Sequence, residues 1–383
     1  MTTPPSDESP GTRWPKIVLV TIFMVLLWLP TLDTFFHLDQ SPAFNEKRLP
    51  ATWPQCKPGL AGLQQYSKGL EAYFNDHFGY RNQLIHWHFD WQQAVFSMGK
   101  HDVIVSSRQD VITGQNIWMF YNENQMHMAE NFQGTRQFSA AALARLQRLH
   151  EERRDWLAQR GIKYVFVVAP DKQTIYPEHL PAWLKSKRQP TKLDQFIGYM
   201  REHSTVDVPD LRPVLREAKR IAPTYYKTDT HWNAFGGFTA SQEIVEALPD
   251  ESGIELISSN SFEFKKTSFK QGDLASLLGM YVREDDLVLV PKTNLPPMTE
   301  TLDHQGNLTP IWSTTNATAR GACVVFSDSF GPALIPFLGY RFNTITCIVN
   351  GGGFDTNIIA RLSPEVVISE IVERHFNESG ASK

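Results

Sequence analysis

The sequence predicts an α/β fold in which a parallel β-sheet carries helices on both faces. In residues 139–221 and 321–371, apolar runs of strand length alternate with amphipathic runs of helix length. This alternation is typical of a parallel sheet whose strands are joined by helices. A separate observation is an apolar run near the N-terminus, which predicts one transmembrane helix in front of the α/β domain.

The composition is that of a globular protein with a hydrophobic core. Of the 383 residues, 42% are hydrophobic, which excludes a disordered chain. The formal net charge is −4 and no basic block occurs, so we expect no nucleic-acid partner. The cysteines Cys56, Cys323 and Cys347 have neither C-x-x-C nor zinc spacing, so we expect no metal site and no disulfide framework.

Residues 17–29 form an almost unbroken apolar run that basic residues precede. The run is long enough for a membrane span, which needs about 17–25 residues, only if the helix continues past Pro30. A cleavable signal peptide is the alternative, but no A-x-A-like cleavage site follows the run. Because basic residues favour the cytoplasmic side, we predict residues 1–39 as a cytoplasmic tail with a signal-anchor helix. Residues 40–383 then form a periplasmic domain in a Gram-negative cell.

The first half of that domain begins with a helix over residues 62–87, interrupted at Gly79, and a β-hairpin over residues 102–120. The pattern becomes regular at Ser139, which is a suitable N-cap, and Gly161 suits the position just beyond a helix end. The elements that follow are the strand 162–169, a helix capped by Thr191, the short strand 206–208 and a helix over 213–221.

The last third repeats this alternation, with the strands 322–326, 343–349 and 365–371 separated by helices that end near Leu338 and Leu362. Residues 249–312 lack the alternation and contain one strand-like run, 286–290, so we predict an insertion there. In open parallel sheets, ligands bind at the carboxyl ends of the strands. Lys172, Ser329 and Asn350 each follow a predicted strand end.

Ser329 lies in a short polar turn between a buried strand and a helix start. A serine there has an exposed hydroxyl beside outward-pointing backbone N–H groups, which suits a nucleophile whose tetrahedral intermediate needs N–H donors. The alternative is that Ser329 or Asp328 only caps the helix. The backbone N–H of Ser329 and a donor from residues 350–353 are candidates for an oxyanion hole, although the glycines there also suit a flexible loop.

Asp229 and His231 supply the other two side-chain types of a catalytic triad. In an extended segment, residues two apart share a face, so both can meet a third group. Metal binding is an alternative, but the spacing suggests no third ligand. Another alternative is that Asp229 or Asn233 caps the next helix and His231 is incidental.

Four further residues are candidates for the substrate cleft. Trp232 follows the histidine and could stack on a sugar ring or pack in the core. Lys172 and Tyr226 could line the cleft, and Asn350 follows a strand end. Arg81 and Arg374 are better explained as structural ion-pair residues.

The segment K-T-D-T-H-W-N-A-F-G-G, Lys227 to Gly237, closely resembles the motif of the alginate O-acetyltransferase J/X family. The resemblance extends from about residue 40 to about residue 376. It rests on further segments in the same order, namely Glu46–Pro50, Asp76–Arg81, Ala169–Lys172, Tyr176–Glu178, Gly272–Ala275, Ser327–Phe330 and Val372–Arg374. The resemblance implies an SGNH-hydrolase-like domain that is circularly permuted, because the Asp-x-His segment precedes the serine. Since the sequence ends at Lys383 without the carbohydrate-binding module of X-type members, we expect the membrane-anchored J-type.

The family also implies a reaction. Ser329 would be the nucleophile that accepts the acetyl group, His231 the general base and Asp229 the residue that orients it. The enzyme would acetylate hydroxyls of an exopolysaccharide such as alginate, without a cofactor, while anchored in the inner membrane. Its implied partners are a membrane-bound O-acyltransferase that delivers acetyl groups and other polysaccharide synthesis or export proteins. A carbohydrate acetylesterase with the same triad, or a non-catalytic component of an export complex, remains an alternative.

Overall fold

The structure is a computed structural model that divides into two compact units, Met1–Lys100 with Ser276–Met280, and His101–Ala275 with Tyr281–Lys383. The residues it describes are 13–39, 51–56, 58–84, 87, 91, 111–122, 127–185, 189–248, 258–269, 272–278, 280, 282, 284–292, 299–304 and 310–378.

The N-terminal unit begins with helix α1, Arg13–Phe36, which continues past Pro30 as predicted. Within the described residues, α1 alone is long and apolar enough to cross a membrane. Its end contacts the turn after helix α2, Leu60–His77, because the carboxylate of Asp33 accepts the backbone N–H of Tyr80 at 2.8 Å. At Gly79, which interrupts the predicted helix, a Cβ would lie 2.0 Å from the carbonyl oxygen of Pro30, so only glycine fits.

The larger unit begins with a short antiparallel hairpin of β1, Val111–Thr113, and β2, Met119–Tyr121. Its turn starts at Gly114, whose N–H donates to the carbonyl of Trp118 at 2.6 Å. The run 111–120, which the sequence predicts as one strand of a hairpin over 102–120, is therefore itself a hairpin that turns from Gly114. Residues 102–110 lie outside the described residues.

A six-stranded sheet forms the centre of this unit, in the order β3-β10-β8-β9-β7-β6. The first four are parallel to one another, and β7 and β6 extend the sheet antiparallel, so the predicted parallel sheet is confirmed for its larger part. The segment 206–208 contributes only a single bridge, between Asp207 and Val165. The strands are β3 Lys163–Ala169, β6 Thr299–His304, β7 Pro310–Thr315, β8 Ala322–Ser327, β9 Thr344–Val349 and β10 Val366–Val372.

Helices cover both faces of the sheet, as predicted. The α-helices that follow α2 in the described residues are α3 Met128–Gln133, α4 Ala140–Ala158, α5 Lys172–Ile175, α6 Ala182–Lys185, α7 Lys192–His203, α8 Leu211–Ala218, α9 Ala234–Glu246, α10 Asp273–Leu277, α11 Ile335–Leu338 and α12 Thr356–Leu362. Successive residues of a strand point to opposite faces. Val165 accordingly packs in one hydrophobic cluster with α8 and α9, whereas Phe166 packs in another with α4 and α7. The N-caps predicted at Ser139 and Thr191 are confirmed by hydrogen bonds from Ala142 N and Asp194 N.

The segment 249–312, predicted as an insertion, has two parts. Strands β4, Phe262–Phe269, and β5, Glu284–Pro291, pair with each other in a separate antiparallel sheet. By contrast, β6 and the start of β7 belong to the central sheet. Antiparallel edge strands need no connecting helix, which is why this end of the sheet does not show the alternation of strand and helix.

A substitution at Phe196 tests the packing between the sheet and the helices on one of its faces. It is fully buried, and its ring lies 5.8 Å from that of Phe166 and 4.7 Å from that of Phe376, between centroids. We expect Phe196→Ala to lower the free energy of unfolding by about 3–5 kcal/mol, because it leaves a cavity. Urea denaturation of the full chain in detergent measures this. Trp183→Ala, at a ring that is 52% exposed, is the control and should cost much less; equal losses would contradict the placement of Phe196.

Candidate active site

Ser329, His231 and Asp229 lie side by side at the carboxyl end of the central sheet. The hydroxyl oxygen of Ser329 is 2.8 Å from His231 Nε2, and His231 Nδ1 is 2.7 Å from Asp229 Oδ1. Ser329 is exposed, whereas His231 and Asp229 have side chains that are 28% and 14% exposed. The structure therefore brings together the three residues that the sequence singled out, in the hydrogen-bonded order that a serine nucleophile requires.

The turn that carries Ser329 is held by Asp328. Its carboxylate accepts the backbone N–H of Phe330 at 2.9 Å and that of Val372, at the end of β10, at 2.7 Å. Burial by itself would raise the pKa of Asp328, but the nearby His375, whose Nδ1 is 3.7 Å from Oδ2, and the hydrogen bonds from these N–H groups lower it overall. Burial raises the pKa of the adjacent Glu370 well above its ordinary value, and the Asp328 charge adds to this rise. Burial thus favours the neutral acid at Glu370, whereas the contacts of Asp328 favour its ionised form.

Asp229 is fixed through both of its oxygens. Oδ1 accepts the Nδ1–H and the backbone N–H of His231, at 2.7 and 2.9 Å, and Oδ2 accepts the backbone N–H of Asp273 at 2.9 Å. Burial favours the neutral acid, but these bonds and the His231 charge outweigh it and lower the pKa of Asp229 to about 2. The carboxylate is thus ionised and cannot rotate without losing a hydrogen bond.

Lys172 supports the loop that carries Asp229 and does not line an open cleft. Its side chain is buried, and its ammonium donates to the carbonyl oxygens of Tyr226, Lys227 and Asp229 at 3.0, 3.0 and 2.6 Å. An ammonium has three hydrogens, so none remains for a substrate. Burial lowers the pKa of Lys172 to about 8, although nearby carboxylates counteract it.

Trp232 lies in the core and has no face open to a sugar ring. It is 2% exposed, its Nε1–H donates to the carbonyl of Phe330 at 3.1 Å, and the two rings pack edge to face at 5.2 Å. The structure thus places Trp232 as a packing residue that ties the segment of His231 to the turn of Ser329.

The other two cleft candidates, Tyr226 and Asn350, lie in different surroundings from each other. Tyr226 is half-buried and lines a cavity of about 570 Å³ that none of the residues Asp229, His231 and Ser329 lines. Burial, followed by the charge of Asp286, raises its pKa. Asn350 is exposed, and its side-chain amide donates to Gly353 O at 3.1 Å and accepts Gly353 N–H at 3.0 Å.

The candidate oxyanion donors differ in what they already bind. Two N–H groups of the 350–353 loop, those of Asn350 and Gly352, donate to the carbonyl of Ser327 at 3.0 and 3.1 Å. The N–H of Gly353 donates to the side-chain oxygen of Asn350. The N–H of Ser329 has no acceptor among the described residues. Gly352 has φ +76°, and a Cβ there would lie 2.8 Å from the carbonyl oxygen of Glu370, so the loop requires glycine for its conformation.

Two acidic residues that the sequence does not predict hold the loop that carries Asp229. Asp273 accepts the N–H and the hydroxyl of Thr230, both at 2.8 Å. Glu284 accepts the N–H of Lys227 at 2.7 Å and the hydroxyl of Thr228 at 2.7 Å. They lie 43 to 57 residues beyond the loop, and no periodicity connects them to it. The one signal was the segment Gly272–Ala275 among those that resemble the family.

Asp229, His231 and Asp273 have ligand atoms within 4.8 Å of one another, a spacing that a metal ion could use. Here these atoms hydrogen-bond among themselves and with backbone or hydroxyl donors. The grouping is therefore fully explained as a hydrogen-bonded support for the histidine.

The family model for the SGNH hydrolase-like domain of the acetyltransferase AlgX matches residues 111–308, just over half of the chain. The chain belongs to this family. The matched range includes Asp229 and His231 and ends before Ser329.

Relatives agree with this family. A probable alginate O-acetylase AlgJ of Pseudomonas putida (strain KT2440) is 27% identical over 209 residues, 52% of this chain and 50% of the relative. The protein of the same name from Pseudomonas fluorescens is 24% identical over 281 residues, 73% of this chain and 63% of the relative. The chain thus spans about half to two thirds of the length of these two curated relatives.

Among solved structures, Bacillus cereus PatB1 with a sulfonyl adduct has a TM-score of 0.50 at 14% identity, over 71% of this chain and 100% of that chain. At this identity the likeness concerns the fold alone.

The buried ammonium of Lys172 predicts a pH dependence of stability. Burial lowers its pKa from 10.5 to about 8, so as the pH falls through this window the unfolded chain binds the proton before the folded protein does. Stability from this group is therefore lost as the pH falls from about 10.5 to about 8. We expect this slope to be smaller in Lys172→Met than in the wild type, with urea unfolding at several pH values as the measurement. Lys265→Met, at a side chain that is 52% exposed, should keep the wild-type slope; identical slopes for all three proteins would refute the assignment.

Proposed function

We propose that this protein is a membrane-anchored O-acetyltransferase that moves an acetyl group through a serine acyl-enzyme onto hydroxyls of a bacterial polysaccharide. The observation that carries the proposal is the hydrogen-bonded series Ser329, His231, Asp229, at 2.8 and 2.7 Å, in a chain of the AlgX family.

In the first half-reaction, Ser329 Oγ attacks the carbonyl carbon of the acetyl donor while His231 Nε2 takes the hydroxyl proton. Asp229 holds Nδ1–H and stabilises the imidazolium that forms. The tetrahedral intermediate collapses, the bond to the donor's leaving group breaks, and the imidazolium returns the proton to that group. Ser329 is left as an acetyl ester.

The oxyanion of this intermediate needs N–H donors. The N–H of Ser329 is one candidate, since it has no acceptor among the described residues. The second is the side-chain amide of Asn350, which has two N–H groups and uses one of them on Gly353. The sequence predicts an oxyanion donor from residues 350–353, and we assign this donor to the side chain of Asn350.

In the second half-reaction, a sugar hydroxyl attacks the acetyl ester while His231 takes its proton. The Ser329–acetyl bond then breaks and the serine oxygen recovers the proton. Both half-reactions use the same residues, and neither needs a cofactor.

The compartment and partners form part of the proposal. Helix α1 is compatible with a single-pass anchor, so residues 1–39 would place the domain of residues 40–383 in the periplasm. Because acetyl-CoA is a cytoplasmic donor, a membrane-bound O-acyltransferase would deliver the acetyl group across the membrane. The relatives named as probable alginate O-acetylases favour alginate or a similar exopolysaccharide as acceptor, with its synthesis and export proteins nearby.

A carbohydrate acetylesterase is the second candidate, since the exposed hydroxyl of Ser329 is open to water. Both candidates share the acyl-enzyme and differ only in the acceptor. Incubating the purified full chain with p-nitrophenyl acetate, with and without a mannuronate oligosaccharide, separates them. Acetylated sugar is expected; acetate release that is indifferent to sugar, with no acetylated product, would rule out the transferase.

Substitutions test the three residues. We expect Ser329→Ala and His231→Ala each to reduce acetyl transfer by about 10³-fold or more, and the double variant to lose little beyond either one, because the residues act as a unit. The rate of p-nitrophenol release and the mass of the acetyl-enzyme are the measurements. Ser139→Ala, which removes a serine hydroxyl from the start of α4, is the control. Full polymer acetylation by Ser329→Ala in cells would favour a non-catalytic component.

A further inference from the structure

Asp273 contacts Asp229 and Thr230, the two residues that directly precede His231. Its backbone N–H donates to Asp229 Oδ2 at 2.9 Å. Its carboxylate accepts two donors from Thr230, the backbone N–H at Oδ1 and the hydroxyl at Oδ2, each at 2.8 Å. One residue thus holds the orienting acid and the residue between that acid and the histidine.

The hydroxyl of Thr230 has consequences for His231. A threonine hydroxyl has one proton, and an ionised carboxylate can only accept, so this proton points to Asp273. The oxygen of Thr230, 3.2 Å from His231 Nδ1, therefore turns a lone pair toward the ring. Nδ1 faces two acceptors, this oxygen and Asp229 Oδ1 at 2.7 Å.

Only a protonated Nδ1 satisfies both acceptors, which fixes the tautomer of the neutral ring. Nε2 is then left with its lone pair toward the hydroxyl of Ser329, at 2.8 Å. This is the state in which His231 can accept the serine proton.

The backbone around Asp273 fixes its place independently of its side chain. The N–H groups of Leu274 and Ala275 both donate to the carbonyl of Thr228 at 3.1 Å. A Cβ at Gly272 would lie 2.0 Å from the same carbonyl oxygen, so this approach requires glycine. A change confined to the Asp273 side chain should therefore leave these backbone contacts intact.

We propose that Asp273 is a positioning residue that sets the tautomer and ring orientation of His231 through the hydroxyl of Thr230. This inference rests on the proposed function, because it gives the orientation a task in activating Ser329. Asp229 orients the ring through one contact, and Asp273 adds a second, indirect one.

Asp273→Asn is a selective test. A carboxylate accepts both donors of Thr230, whereas an amide has one acceptor and one donor group. In one orientation the amide NH2 of the asparagine meets the backbone N–H of Thr230, which is a donor against a donor. In the other it donates to the Thr230 hydroxyl oxygen, and the hydroxyl proton must then turn away from residue 273. The backbone N–H to Asp229 is unchanged by the substitution.

The experiment uses the full chain in detergent and follows sulfonylation of Ser329 by phenylmethylsulfonyl fluoride with intact mass spectrometry. We expect Asp273→Asn to slow it by about 10- to 100-fold, the effect of losing a hydrogen bond to a charged group. Thr230→Val should slow it similarly, and the double variant should lose little more. Asp285→Asn, at a side chain that is 78% exposed, should react at the wild-type rate.

Proton NMR supplies a readout that a purely structural role would not move. The low-field resonance of His231 Nδ1–H should shift or broaden in Asp273→Asn while the thermal unfolding temperature stays close to that of the wild type. An unchanged sulfonylation rate and resonance would overturn the inference, and so would fully additive losses in the double variant. If the wild type is sulfonylated but transfers no acetyl group, the proposed function fails, whereas these two readouts still decide the role of Asp273.

Discussion

The hydrogen bond between Ser329 and His231 depends on holding an irregular loop against the end of a rigid sheet. Ser329 follows β8 directly, so the sheet fixes its position, but Lys227–His231 belong to no helix or strand. A buried loop of this kind must satisfy its backbone groups with side chains. Lys172 does this for three carbonyl oxygens, and Glu284 and Asp273 do it for N–H groups from the other side. The geometry at His231 thus combines the local bonds from Asp229 with long-range contacts that hold the loop in place.

The same constraint explains the buried charges at the carboxyl ends of the strands. A buried charge is costly unless it is paired and hydrogen-bonded. The Arg374 guanidinium, at the end of β10, pairs with Asp171, after β3, at 2.7 Å, as expected of a structural ion pair. Glu373 accepts the N–H of Asp171 at 2.9 Å, and burial raises its pKa to about 7. These contacts therefore join the neighbouring ends of β3 and β10.

Much of this architecture was predictable, and what was not has a physical reason. The strands β3, β8, β9 and β10 are apolar runs because both faces of the sheet are buried, and such runs are visible in a single sequence. Asp229, His231 and Ser329 are recognisable because a triad needs those residue types. Lys172 and Trp232 are cleft candidates from sequence alone, with core packing left open for Trp232, because residue type and strand-end position do not show whether a side chain points to solvent or to the protein. Asp273 and Glu284 act through contacts 43 to 57 residues away, which single-sequence patterns do not record.

Exposure decreases along the hydrogen-bonded series, from the exposed Ser329 through His231 at 28% to Asp229 at 14%. An open serine suits a polymer that must approach from solvent, but it is equally open to water. The triad as proposed cannot favour a sugar hydroxyl over water, because His231 would take a proton from either. Selection of the acceptor must therefore come from contacts that hold the polymer beside the acetyl-serine, and neither Lys172 nor Trp232 can make them from inside the protein. Such contacts need side chains that solvent can reach, as it can that of Asn350.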